Sequence, residues 1–222
     1  MATAANLRGV GVNVNLAPVL DVARPGSFQE RLERSYGRSS GLVASLGTAF
    51  AAGLRRGGVA ATGKHFPGIG VPRVDEDTVA SRIGLSRSTL RRIDEAPFVA
   101  AIRQRIDLVM LSTAIYPAFD SAPALFSRRL ATGELRGRLG FRGVAITDDL
   151  ETDAAAAFGS VQRRALMSAR AGADLLLYAQ SFGGGARAAD GLTRDVRAGR
   201  ASRAELRTSL ARVLALRRSL AG

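Results

Sequence analysis

Among its 32 lysine and arginine residues the chain has one lysine, Lys64, and its one histidine, His65, follows directly. The pair lies in the run Ala61-Thr62-Gly63-Lys64-His65-Phe66-Pro67-Gly68. A chain that otherwise uses arginine for positive charge has a lysine where a compact ammonium on a flexible stem does what a planar guanidinium does not. The histidine adds a donor and acceptor that titrates near neutral pH. Gly58-Val59-Ala60-Ala61-Thr62 before the pair reads as a buried strand, and Phe66-Pro67-Gly68-Ile69-Gly70 after it reads as a loop. The junction of strand end and loop is where α/β proteins place their chemistry.

Carboxylates supply the other candidates. Asp148 and Asp149 close the apolar run Gly143-Val144-Ala145-Ile146-Thr147. Neighbours on a strand point to opposite faces, so one of the two can face a common centre, as nucleophile or metal ligand. A structural alternative has one carboxylate capping the next helix and the other pairing with an arginine. Asp75-Glu76-Asp77 lies in the Gly/Pro loop from Gly70 to Thr78. Such a loop is either a solvated turn or a mobile segment that brings an acid over a pocket. Arg34 follows a Gly/Pro-containing loop and taken alone reads as a surface arginine; Asp21 closes the first apolar run and reads as fixing the loop after it.

Five apolar, β-branched runs must position these groups: Val10–Ala17, Val59–Lys64, Asp107–Ser112, Gly143–Asp148 and Ala173–Tyr178. Segments of helical period separate them, near Gly41–Arg56, Ser88–Arg103, Ser127–Leu139 and Ser160–Ala171, with two more near Gly184–Ala198 and Ala201–Ala221. Gly57-Gly58 and Gly140 read as helix stops, and Ser202 with Glu205 as a capping box. Alternating strands and helices predict a parallel sheet with right-handed crossovers. Each strand ends in polar residues, the pattern of a TIM-type (β/α) barrel with its site at the carboxyl-terminal rim. The fold class is therefore α/β, with about five or six of the eight β/α units of such a barrel. No repeat or second domain is visible, so residues 1–222 read as one catalytic-type domain lacking its first strands.

Composition narrows the function. The net charge of +13 invites a nucleic-acid reading, but the arginines are scattered and no aromatic residues interleave with them as a stacking platform needs. No nucleic acid is expected as a partner. No apolar run approaches the roughly 18–20 residues that span a bilayer. Without cysteine, and with one histidine, the usual thiolate and multi-histidine metal sites are excluded. No metal or cofactor is expected. The chain as written carries no signal peptide and reads as cytoplasmic; a leader ahead of Met1 would make it secreted.

Four segments in order carry a resemblance: Asn15-Leu16-Ala17-Pro18-Val19-Leu20-Asp21-Val22, Glu33-Arg34-Ser35-Tyr36-Gly37, Lys64-His65-Phe66-Pro67-Gly68 and Ile146-Thr147-Asp148-Asp149-Leu150. The chain resembles glycoside hydrolase family 3, and most of all its β-N-acetylglucosaminidase (β-hexosaminidase) branch, from about Leu7 to the end. The resemblance implies a TIM-type barrel and retaining hydrolysis of terminal β-linked N-acetylhexosamine in a glycan or peptidoglycan fragment. Asp148 is then the nucleophile, and Arg34, Lys64 and His65 hold sugar hydroxyls. Ile69 replaces a histidine of the family's loop, and Asp77 stands at the position of the branch's acid/base histidine, which makes Asp77 the candidate acid and Glu76 the other carboxyl on that loop. Ser112-Thr113 stands where relatives often have Ser-His. The family's early Asp-Gln-Glu-Gly-Gly segment has no counterpart in the chain. The competing reading is a non-catalytic, carbohydrate-binding relative that keeps the pocket without the acid.

Overall fold

A computed structural model describes residues 2–220. Four parallel strands, β1 (Val14–Asn15), β2 (Ala60–Phe66), β3 (Leu108–Leu111) and β4 (Val144–Thr147), pair in the order β1-β2-β3-β4. Helices α1 (Ala2–Gly9), α2 (Phe28–Arg31) and α3 (Ser40–Arg56) come before and between the first two strands. α4 (Arg87–Thr89), a π-helical turn (Leu90–Asp94) and α5 (Ala96–Arg103) connect β2 to β3. A 3-10 turn (Ala124–Phe126) and a π-helix (Arg129–Arg138) lead to β4, and α6 (Asp153–Ala156), α7 (Val161–Ala171), α8 (Phe182–Arg197) and α9 (Arg203–Ser219) follow it. This is the β/α arrangement of a TIM-type barrel, present as an open sheet over the described residues.

The alternation of side chains along each strand sorts the core into two layers. Ala61, Val109 and Ala145 face α3 and α5, packing with Leu54, Phe98 and Ile106. Ala60, Leu108, Met110, Val144 and Ile146 face the other way, where Val213 and Leu216 of α9 pack against them. Burial on both faces explains why these strands read as continuous apolar runs. Helix starts follow serine: Ser39, Ser160 and Ser202 each accept an amide of the first turn. Ser202 makes half of the expected capping box, since Glu205 turns instead to Arg128 at 2.8 Å. Gly58 (φ +74°) and Gly140 (φ +72°) supply the left-handed residues of the predicted stops.

Several predicted elements differ. The first run is a strand only at Val14–Asn15, because the chain turns after α1 at Gly11 (φ +80°), leaving Val10 76% exposed. The fifth run forms a single bridge, Leu175 with Ile146. Asp174 accounts for this. Its fully buried carboxylate accepts the Ala145 amide at 2.9 Å and binds Arg136 at 2.5 Å and Arg212 at 3.0 Å, so a side chain takes an amide that a ladder would use. The predicted helix Ser127–Leu139 is wound as a π-helix over Arg129–Arg138. Gly133 and Gly137 within it weaken the preference for the tighter α winding. α1, α2 and α6 lie outside the predicted helices; the last two have four residues each, too few to show a period, and the predicted segment Ser88–Arg103 is divided into α4, the π-helical turn and α5. The last helix ends at Ser219, and Ala221, its expected end, lies outside the described residues.

Candidate active site

The candidate site is built on the loop after β1, the end of β2 and the residue after β4. Asp21 is completely buried, and its carboxylate takes three donors: the amides of His65 (3.1 Å) and Ile69 (2.9 Å) on Oδ1, and His65 Nδ1 on Oδ2 at 2.8 Å. A buried carboxylate is tolerated only when paired and hydrogen-bonded in this way. With the ring proton on Nδ1 donated to Asp21, Nε2 of His65 faces Asp148, 4.0 Å from Oδ2. Asp148 follows the last residue of β4, and its amide donates to Leu111 O at 2.9 Å, continuing the sheet by one residue. Its side chain keeps 15% exposure, open enough to meet a ligand.

Lys64 lies among the same groups. Burial pushes its ammonium down, Asp148 pulls it back up most among the charges, and Arg34, Asp21 and Asp77 also act on it. Asp77 is pushed up by burial and then by the nearby charge of Asp148, with His65 and Arg34 opposing. Arg34 is exposed, its guanidinium 5.6 Å from the centroid of the Phe28 ring. One small region thus holds three carboxyls, an imidazole, an ammonium and a guanidinium. Charged donors form the strongest hydrogen bonds to hydroxyl-rich ligands.

The loop that follows β2 is fixed by close backbone approach and by buried hydrogen bonds. Gly68 adopts φ +133°, and a Cβ there would meet Asp94 Cβ at 2.9 Å. At Gly70 a Cβ would fall 1.8 Å from Val22 O, so only glycine lets the two backbones approach. Tyr116, fully buried, donates to Gly68 O and meets Ser112 Oγ, both at 3.0 Å. Arg24 binds both oxygens of Asp94 at 2.9 Å.

A sequence model of the Glycosyl hydrolase family 3 N terminal domain matches residues 1–216. The chain belongs to glycosyl hydrolase family 3. It is 45% identical over 178 residues to an uncharacterized secreted glycosyl hydrolase of Arthroderma benhamiae, covering 78% of this chain and 50% of that protein. To a beta-hexosaminidase of Tolumonas auensis it is 36% identical, covering 85% of this chain and 56% of that protein. The solved family 3 beta-N-acetylglucosaminidase of Paenibacillus sp. superposes with a TM-score of 0.95 at 38% identity, over 99% of this chain and 42% of that one. The beta-N-acetylhexosaminidase of Beutenbergia cavernae gives 0.88 at 34%, over 96% and 64%. The chain spans about half the length of the curated relatives it matches.

Within this family 3 chain, the five residues singled out from sequence are near one another. Lys64 feels Arg34, Asp77 and Asp148, and His65 approaches Asp148 directly. Asp149 points away, as alternation requires. It accepts Glu151 N at 2.9 Å and Ala179 N at 3.2 Å and takes Gln180 Nε2 at 3.3 Å, bracing the loop beyond the fifth run. Ile69, in place of a family histidine, is core: it packs with Ile83, Leu90 and Tyr116. Ser112 and Thr113 are buried and bond to Tyr116 and to Glu76 O. Two contributions were not visible in the sequence. Asp21 orients the imidazole as well as the loop, and Glu76 is buried where an acidic loop suggested solvent. The signal for Asp21 was available only as its place at the end of the first run.

Proposed function

We propose that this chain carries the catalytic-type site of a retaining glycoside hydrolase that cleaves terminal β-linked N-acetylhexosamine. The observation that carries the reading is Asp148, at a strand end and 4.0 Å from an imidazole that a buried carboxylate holds in place. Family membership and the names of the relatives support the reaction class and the sugar. In the reading, Asp148 attacks the anomeric carbon and the glycosidic oxygen departs with a proton from Asp77. Water then attacks the glycosyl ester, and Asp77, now a base, takes its proton. Lys64, His65 and Arg34 hold sugar hydroxyls.

The roles divide as the environments do. A nucleophile must be ionised, and Asp148 accepts the Asp149 amide at 3.0 Å beside Lys64 and His65. An acid must hold its proton, and burial and the Asp148 charge push Asp77 in that direction. The test follows anomeric configuration by NMR during hydrolysis of an aryl β-N-acetylglucosaminide. The first sugar released is the β-anomer; the α-anomer would contradict the double displacement, and no turnover would favour the binding-only reading.

A further inference from the structure

The loop that carries Asp77 has one inward-facing acid. From Arg73 to Val79 its residues are exposed or half-buried except Glu76, which is 5% exposed. Neither carboxyl oxygen of Glu76 makes a hydrogen bond of ordinary geometry, and Ser81 is the one donor close enough to act on them. Thr113, itself buried, donates to the Glu76 carbonyl at 3.3 Å, which ties the loop to the end of β3. The next carbonyl, of Asp77, accepts the Ala154 amide at the start of α6 at 3.2 Å. The Glu76 side chain is therefore buried in the protein, while its neighbour Asp77 is exposed. The charged and titratable groups around Glu76 are His65 on β2, Asp21 after β1 and Tyr116 after β3. Glu76 is thus buried on the side of the imidazole where Asp21 holds it.

We propose that Glu76 is the positioning residue of this loop: uncharged, its carboxyl stays buried behind His65 and seats Asp77 over the strand ends, and when it ionises the loop lifts. The proposal rests on the reading of Asp77 as the acid. A buried carboxylate with no well-formed hydrogen bond cannot stay out of water cheaply, whereas a carboxylic acid can. Burial is the largest influence on Glu76 and pushes it from 4.5 up to about 7, and the pull of His65 and Ser81 in the other direction does not offset it. Released into water, the group returns to the ordinary carboxylate range. The sign follows from proton binding. The seated loop holds a proton that the lifted loop gives up, so seating weakens as pH rises from 4.5 toward about 7 and levels off beyond it.

Hydrogen exchange read by mass spectrometry, corrected for the intrinsic dependence of exchange on pH, tests this without any turnover. The reporters are the Ala154 amide and the Thr78 amide, which bonds to Asp75 O at 3.2 Å. In the wild-type chain their protection should fall by up to roughly tenfold per pH unit between 5 and 7 and then level off. In Glu76→Gln, which cannot ionise, protection should not change with pH. A flat wild-type profile, or a Gln variant that follows the wild type, overturns the proposal. Should Glu76→Gln fail to fold, the wild-type profile decides alone, by the presence or absence of the fall. Failure here would leave Asp77 as the acid untouched, because that role has its own test in leaving-group dependence.

Discussion

At the scale of single residues, the site separates groups that look alike in the sequence. Asp75, Glu76 and Asp77 are three consecutive acids on one loop, yet Glu76 is buried behind His65 and Asp77 faces Asp148. Asp148 and Asp149 are equally adjacent, and strand alternation sends one to His65 and the other to the loop at Ala179. That second separation was legible from the sequence, because it needs only the period of a strand. The first was not, because loops have no period and the direction of Glu76 depends on Thr113 and the buried groups beneath it. If Asp77 gives the leaving oxygen its proton, its loss matters most when that oxygen is a poor leaving group. Asp77→Ala should therefore slow a disaccharide by about 100-fold or more, and an activated aryl glycoside much less, with azide partly restoring the second step. Steady-state rates across a series of leaving groups check this. Equal slowing of good and poor leaving groups would remove Asp77 from the proton transfer.

At the scale of elements, strand ends position the chemistry and side chains fix the strand ends. β2 runs past the predicted end at Lys64 to Phe66, so Lys64 and His65 are part of the sheet and not of a loose loop. This gives them the rigidity a binding pair needs. Beyond β4 the fifth run read as a strand from its Leu-Leu-Leu core, and the structure leaves one bridge there. The cause is a single acid, which no apolar pattern reveals: Asp174 joins β4 to the π-helix through Arg136 and to α9 through Arg212. Asp174→Ala would leave Arg136, whose side chain is 8% exposed, as an unpaired buried cation. The expected loss of stability is about 3–5 kcal/mol, measured by denaturant unfolding. A loss below about 1 kcal/mol would mean that Arg136 finds water or another partner and that the ion pair is not what replaces the missing ladder.

At the scale of the whole molecule, charge and fold carry separate information. The excess of arginine, +13 in net charge, is spread over the surface, and part of it is bound in ion pairs such as Arg91 with Glu134 and Arg128 with Glu205. The parallel sheet and the rim that gathers the site followed from the alternation of apolar runs and helical segments. The shortness of β1 and the π winding before β4 did not, since both depend on how the chain turns at glycines and on tertiary partners. The central claim is that the carboxyl ends of these strands bring Asp148, and not its neighbour, to the anomeric carbon of a sugar. Its most direct test compares Asp148→Asn with Asp149→Asn in the hydrolysis of an aryl β-N-acetylglucosaminide. Asp148→Asn should lose activity by a factor on the order of 10,000 while keeping the wild-type melting temperature, and Asp149→Asn should keep measurable turnover. Retained activity in Asp148→Asn with loss in Asp149→Asn would contradict the account.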